Sequence, residues 1–473
     1  MLFTEPIWLS ILIPIAFALV LLIASLVVRH VGGVRINVAA WLSIAGFALA
    51  FVTGGMLIAA VLVGFVLFTH RIAIAIERAG DHRDRQASRG WLPARAWLAC
   101  AVAVDLAMVA ALSRAGVFPG GFVAIIPFGV SYFAFHGISY VVDVYRGRLP
   151  AERSRCQIAV YLLLLPQIVG GPLAAKDVAF QLARLPTVSD YSYGARRLFL
   201  GAWKVFVIAD LAGTQADAAF ARRPGGLSAF PAWLGLVSLT VQMYYGFSGY
   251  SDMGIGLGRM LGIRLPENFR WPYIGESVRD FWGRWHIGLC AWFRDYTDVS
   301  ADADRVLPPS VGREALVVLL CGLWYGVGWG PVPVGFAAWG LYHAALIALE
   351  RAGVEAAVKR LPAFLRHVYV LVIVMAGWAV LRSETLGDAL LFLKALVGLN
   401  STAVRARPAI GLEVWLVLAA GALGCAPLAK AIQRWTVIID ALIVSLLLML
   451  FAAVLFAWRC GRMVAAPILH WRR

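Results

Sequence analysis

Between positions 7 and 28 the chain runs the thickness of a bilayer without one charged side chain, and the pattern recurs along its length. Further apolar segments lie near 37–54, 56–76, 97–112, 122–142, 157–173, 198–212, 229–250, 315–330, 332–349, 367–382, 411–424 and 437–458, the last with Asp440 as its only charge. About 20 such residues form a helix that crosses a hydrocarbon core roughly 30 Å thick. Lipid offers the backbone no hydrogen-bond partner, so a spanning segment of this kind satisfies its own amides as a helix. The chain is 61% hydrophobic and 14% charged, against about 25% charged in soluble domains. A water-soluble fold is excluded, and the lipid bilayer is the first partner. The first segment is longer than a signal-peptide core, with no basic residue before it and no small-residue cleavage site after it. It reads as a retained helix. Several segments are short or broken by Gly and Pro. The expectation is an all-α polytopic membrane protein of about ten to twelve transmembrane helices, with interfacial and re-entrant helices. Residues 1–473 read as a single membrane domain without tandem repeats.

The formal net charge of +16 suggests nucleic acid only until its distribution is read. Basic residues collect between the apolar runs, as in cytoplasmic loops, and no nucleic-acid-binding module is visible. Arg29 and Arg35, the arginine-rich stretch 71–95, and Arg146, Arg148, Arg153 and Arg155 occupy alternate loops. Placing these loops in the cytoplasm orients the N-terminus outward. Arg351, Lys359, Arg360, Arg366, Arg472 and Arg473 favour the same side. The six cysteines are scattered without a C-x-x-C pair. They predict buried small apolar residues rather than disulfides or a metal site.

Polar groups inside membrane segments are costly and point to function. They are densest over 268–296, NFRWPYIGESVRDFWGRWHIGLCAWFRDY. Phe281, Trp285, Leu289 and Trp292 recur at helical spacing, which predicts one amphipathic helix from about Ser277 that carries His286. A second region, 321–350, places His343 in an otherwise apolar helix. Imidazole exchanges a proton near neutral pH and can serve as a base toward a hydroxyl; a structural histidine bonded to a backbone carbonyl is the plainer alternative. Gly254, Gly258 and Gly262 are spaced for close helix packing. They do not form a phosphate loop, since neither a preceding strand nor a Lys-Ser/Thr pair is present. GFSGYSDMG does not match a nucleophile elbow, and no metal-ligand motif occurs.

Taken in order, the segments 127–147, 167–182, 232–269, 280–296 (DFWGRWHIGLCAWFRDY), 321–329 (CGLWYGVGW) and 339–351 (WGLYHAALIALER), with a weaker echo at 376–398, resemble the membrane-bound O-acyltransferase family. They are most similar to its alginate O-acetyltransferase branch. The resembling core covers about 127–398, preceded by helices within 7–112 and followed by helices within 411–458. The resemblance implies a helix bundle around a tunnel, through which an acyl group delivered from the cytoplasmic side reaches an acceptor across the membrane. It implies no bound cofactor and no metal, with an acyl donor such as acetyl-CoA as substrate. It also implies a cell inner membrane location and a periplasmic acetyltransferase partner in exopolysaccharide modification.

Carried over residue by residue, His286 matches the family's Trp-His and His343 its later Trp-Gly-x-x-His. One position departs: the family's Gly-Leu-Trp-His-Gly reads Gly322-Leu323-Trp324-Tyr325-Gly326 here, so Tyr325 stands where the key histidine is expected. A phenol titrates near 10 and an imidazole near 6.5, so tyrosine is a donor rather than a base. A second departure is the polar loop 297–313. The expected function is transfer of acetyl groups to a cell-surface exopolysaccharide. His286 or His343 would act as base, and Tyr325 would hold the acyl carbonyl. The alternative is a catalytically impaired homologue acting as a scaffold in a polysaccharide assembly complex.

Overall fold

A computed structural model of the protein describes residues 60–80, 93–114, 125–164, 181, 186–222, 226–297, 310–327, 334–400 and 411–425. The expected spans 7–28, 37–54 and 437–458, most of segment 167–182, and most of loop 297–313 lie outside these residues. Among the described residues the chain is all-helical, without strands. Helices α1 (Ala60–Gly80), α2 (Ala94–Arg114), α3 (Ile125–Tyr145) and α4 (Arg155–Leu162) form the first group. Helix α5 (Val188–Trp203) continues through a π-helical turn, Lys204–Ala209, into α6 (Asp210–Phe220). Helix α7 (Ala229–Met260) follows, then the short α8 (Val278–Trp282) and α9 (Ile287–Tyr296). Next come α10 (Val311–Val327), α11 (Val334–Leu349), α12 (Glu355–Lys359), α13 (Ala363–Arg382), α14 (Leu386–Leu396) and α15 (Leu412–Gly424).

Local chemistry explains where several helices begin. Thr187 and Asp190 form a capping box at the start of α5, each side chain accepting the other's backbone N–H. Ser154, Ser277 and Thr385 cap α4, α8 and α14, each side chain accepting the backbone N–H three residues on. Among the described residues four helices are long and apolar enough to cross a membrane: Ala60–Gly80, Ala94–Ala111, Val188–Phe220 and Ala363–Arg382. Their outward faces are apolar and exposed, with Leu106, Val372 and other large side chains uncovered, as lipid contact requires.

Helix α7 is the axis of the described structure. Its 32 residues correspond to a rod of about 48 Å at 1.5 Å per residue, lined with tyrosine, serine and glycine. The antiparallel rod α5–α6 packs along it through paired glycines. A Cβ at Gly256 would lie 2.6 Å from the Gly194 carbonyl oxygen, and one at Gly201 would lie 2.5 Å from that of Gly249. The close helix approach expected at Gly254, Gly258 and Gly262 is therefore made by Gly249 and Gly256, seven residues apart. Gly258 packs on Leu265, and Gly262 turns the chain out of the helix at φ 83°. The seven-residue spacing fits two turns of an antiparallel helix pair, which a search for four-residue spacing misses. Across the bundle, α10 and α11 meet at Gly322 and Gly340, where a Cβ on the first would lie 2.7 Å from the Cα of the second.

Packing at these glycines leaves no room for a side chain. Gly256→Val is expected to cost about 1–3 kcal/mol through overpacking and to lower the Tm of the protein in detergent. Gly64→Ala, with nothing within 4 Å, is expected to keep or raise the Tm, since alanine favours the helix. Equal Tm values for the two variants would refute the glycine contact.

Candidate active site

The single amphipathic helix expected from Ser277 is two helices. Helix α8 ends at Trp282 and α9 starts at Ile287, with His286 between them at φ 45°, ψ 52°. That left-handed conformation costs a residue bearing a Cβ roughly 1–2 kcal/mol. The break has a visible cause. The backbone N–H of Ile287 donates to the Asn268 carbonyl at 2.9 Å, and that of Arg270 donates to the Arg284 carbonyl at 3.0 Å. The loop after α7 thus captures amides that a continuous helix would use. Phe281, Trp285, Leu289 and Trp292 remain buried, so the apolar stripe survives the break. His286 is at the break, not on a helix.

The left-handed turn carries the imidazole into the interior. His286 is 4% exposed, Tyr325 3% and His343 0%. Nδ1 of His286 is 2.9 Å from the hydroxyl of Tyr325, and the Trp285 indole N–H donates to the same hydroxyl at 3.3 Å. Phe269 stacks on the imidazole at 5.8 Å and 21°, while Tyr325 lies on it at 6.0 Å and 25°. Phe247 and Trp324 complete the surround. Hydrogen bonds in apolar surroundings are electrostatically stronger than in water. The tyrosine oxygen has two lone pairs and one proton, so it can accept from Trp285 and still share a hydrogen bond with His286.

His343 joins neither residue by a hydrogen bond. It lies beyond Trp339, whose ring is 5.6 Å from Tyr325 on one side and 5.0 Å from His343 on the other. Trp282, Tyr342 and Phe281 enclose it further. Among the described residues neither of its ring nitrogens has a hydrogen-bond partner, nor has the indole nitrogen of Trp339. Tyr325 and His343 each follow the crossing glycines Gly322 and Gly340 by three residues, so the α10–α11 crossing sets both.

Helix α9 is held along its length. Trp292 donates to Ser139 on α3 at 2.7 Å, and Tyr296 donates to Asp143 one turn later at 3.0 Å. Arg146 and Arg313 donate to the carbonyls of Asp295 and Arg294 at its C-terminal end, where cations match the helix dipole. On the neighbouring α8, buried Glu350 accepts the N–H groups of Val278 and Arg279 at the helix start. Arg279 and Arg351 both bind Glu314 in the first turn of α10. Cys290 and Cys321, one turn from His286 and Tyr325, are buried with their sulfurs 3.8 Å apart. Cys100 and Cys156 are exposed, contrary to the expectation that the cysteines are buried. No group of three or more His, Cys, Asp or Glu side chains among the described residues is arranged to hold a metal ion.

Sequence reasoning named His286, Tyr325 and His343 but missed Trp285 as a hydrogen-bond donor and Asn268 as the cause of the break. Asn268 carried a signal, a polar residue directly before an aromatic one in a dense polar segment, yet its partners are distant in sequence. Removal of the Tyr325 hydroxyl leaves two buried polar groups short of a partner. Tyr325→Phe is expected to destabilise the protein by about 1–3 kcal/mol, read as a lower Tm in detergent. An unchanged Tm would show that the hydroxyl is not shared with His286 and Trp285.

No family model matches the chain. Curated relatives do. The probable alginate O-acetylase AlgI of Azotobacter vinelandii is 37% identical over 344 residues, covering 68% of this chain and 65% of that protein. The AlgI protein of Pseudomonas putida is 34% identical over 348 residues, covering 69% and 68%. The peptidoglycan O-acetyltransferase of Helicobacter pylori is 30% identical over 318 residues, covering 59% and 58%. The chain spans just under two thirds of the length of the Azotobacter protein. With this identity over more than two thirds of the Pseudomonas putida relative, the chain belongs to the alginate O-acetylase branch of the membrane-bound O-acyltransferase family.

Proposed function

We propose that the protein is a multi-pass O-acyltransferase of the cell inner membrane that moves acetyl groups for O-acetylation of an alginate-like cell-surface exopolysaccharide. The printed names of the relatives, alginate O-acetylase and peptidoglycan O-acetyltransferase, support the reaction class. The observation that carries the reading is the buried contact of 2.9 Å between His286 and Tyr325. In this reading the whole chain is one domain of ten to twelve spans around a tunnel. Its partners are the bilayer, an acyl donor such as acetyl-CoA and a periplasmic acetyltransferase.

The chemistry is acyl transfer from a thioester. The acceptor hydroxyl oxygen attacks the carbonyl carbon, its proton passes to an imidazole, and the C–S bond breaks. The departing thiolate then takes the proton. In our assignment Nδ1–H of His286 and the indole N–H of Trp285 both donate to the Tyr325 oxygen. This leaves Nε2 of His286 with a free lone pair as base. It also leaves the Tyr325 O–H to donate to the carbonyl oxygen as negative charge develops there. Tyrosine at the family's histidine position then acts as the oxyanion donor, and the base is the neighbouring histidine. His343, without a bond to Tyr325, is the second base candidate.

The scaffold reading has its own observation: the Tyr325 hydroxyl already has two protein partners, and a phenol is no substitute for an imidazole base. The test is ester-linked acetate on the exopolysaccharide of a deletion strain complemented with each variant. With the unaltered gene, acetate is expected to return. With His286→Ala it is expected to stay absent, and with Tyr325→Phe to fall about 10²–10³-fold, the usual worth of one oxyanion donor. His343→Phe is expected to retain most of the acetate. Full acetate with His286→Ala would remove His286 from the mechanism. Acetate unaffected by deletion, or appearing only with Tyr325→His, would favour the scaffold.

A further inference from the structure

A histidine that acts as a base has to be held in one place, and the left-handed backbone at His286 does not hold itself. Two contacts reach the amides that follow it from one residue, and a third seats that residue on α7. The Asn268 carbonyl accepts the Ile287 N–H at 2.9 Å, and its side-chain oxygen accepts the Gly288 N–H at 3.1 Å. Its side-chain amide donates to Ser251 on α7 at 2.8 Å. Asn268 is 3% exposed and Ser251 5%. A second clamp runs beside the first. Arg197 on α5 binds Asp252, the residue after Ser251, at 2.6 Å, and Glu267, the residue before Asn268, at 2.5 Å. Lys204 binds the other oxygen of Asp252 at 2.6 Å. Two adjacent residues of α7 thus grip two adjacent residues of the loop, one pair by a buried amide and one through an arginine.

We infer that Asn268, seated on Ser251, is the positioning residue that keeps His286 in its left-handed conformation with the imidazole against Tyr325. The Arg197 bridge between Asp252 and Glu267 fixes the loop from which Asn268 acts. Beyond Ser251, Asn268 binds the amides that follow His286, so it acts through the histidine. The rigid α5–α7 pair is thereby connected to the reacting side chain. The assignment rests on the acyl-transfer reading for its catalytic consequence, but its structural content can be read without turnover.

The experiment uses the full chain in detergent, with Asn268→Ala, Ser251→Ala and Ser251→Thr. Ser251→Ala removes one hydroxyl from a helical position that alanine favours, so it is the variant expected to fold if Asn268→Ala does not. Diethyl pyrocarbonate modification is followed at each histidine by mass spectrometry. Release of the tether is expected to raise the rate at His286 about tenfold, with the rate at His343 unchanged. Ser251→Thr, which keeps the hydroxyl, is expected to behave as the unaltered protein. In acyl transfer the loss is expected in kcat, up to about 100-fold for a displaced base, at an unchanged donor KM. An unchanged His286 rate in the folded Ala variants would overturn the assignment, as would a rise shared equally by all histidines. A selective rise at His286 in a protein that shows no transfer would keep the positioning role and remove the proposed function instead.

Discussion

Inside an apolar bundle a polar group keeps the partner the fold supplies, because water is not there to replace it. Tyr325 is supplied with two, the imidazole of His286 and the indole of Trp285. For that meeting to occur, consecutive residues 285 and 286 must both face one hydroxyl, which a regular helix does not allow at 100° per residue. The chain answers by breaking between α8 and α9. The break depends in turn on Asn268 and the loop after α7, and on the long helix that carries the loop. Much of the described architecture can be followed outward from this one hydroxyl.

Two kinds of contact divide the work of holding the bundle. Glycines set the distances between helices: α5 lies against α7 at two glycine pairs, and α10 crosses α11 at one. Polar contacts then set register along those helices. Ser139 and Asp143 on α3 meet Trp292 and Tyr296 on α9, one turn apart on both. Ion pairs such as Arg197 with Asp252, and Arg279 and Arg351 with Glu314, tie loops and helix ends. Van der Waals contact alone would allow neighbouring helices to slide, while a hydrogen bond in low dielectric is directional and costly to lose.

The aromatic side chains explain why the two histidines have different surroundings. Trp339 separates His343 from Tyr325, and stacks on Trp378, which meets Trp285. Aromatic rings, Trp339 and Phe281 among them, thus lie in contact with both the hydrogen-bonded group and His343. The two imidazoles are alike in burial and opposite in hydrogen bonding. Their spacing of 57 residues in sequence carries no trace of that difference.

The apolar runs by themselves pointed to a helical, membrane-embedded chain, since an uninterrupted apolar run of about 20 residues in hydrocarbon satisfies its own amides as a helix. The ordered motifs likewise pointed to the family that the curated relatives show. Tertiary structure decided what the letters could not carry. The spacing of Phe281, Trp285, Leu289 and Trp292 describes one helix, because periodicity records which side is buried and not where the backbone is interrupted. The left-handed turn at His286 falls on a residue with a Cβ, so no glycine announced it; its cause is an asparagine from another loop. The packing glycines proved to be 249 and 256 because only the partner helix defines which face is crossed. Long-range hydrogen bonds turned three candidate residues into one joined pair and one separate histidine, and such bonds belong to the folded chain alone.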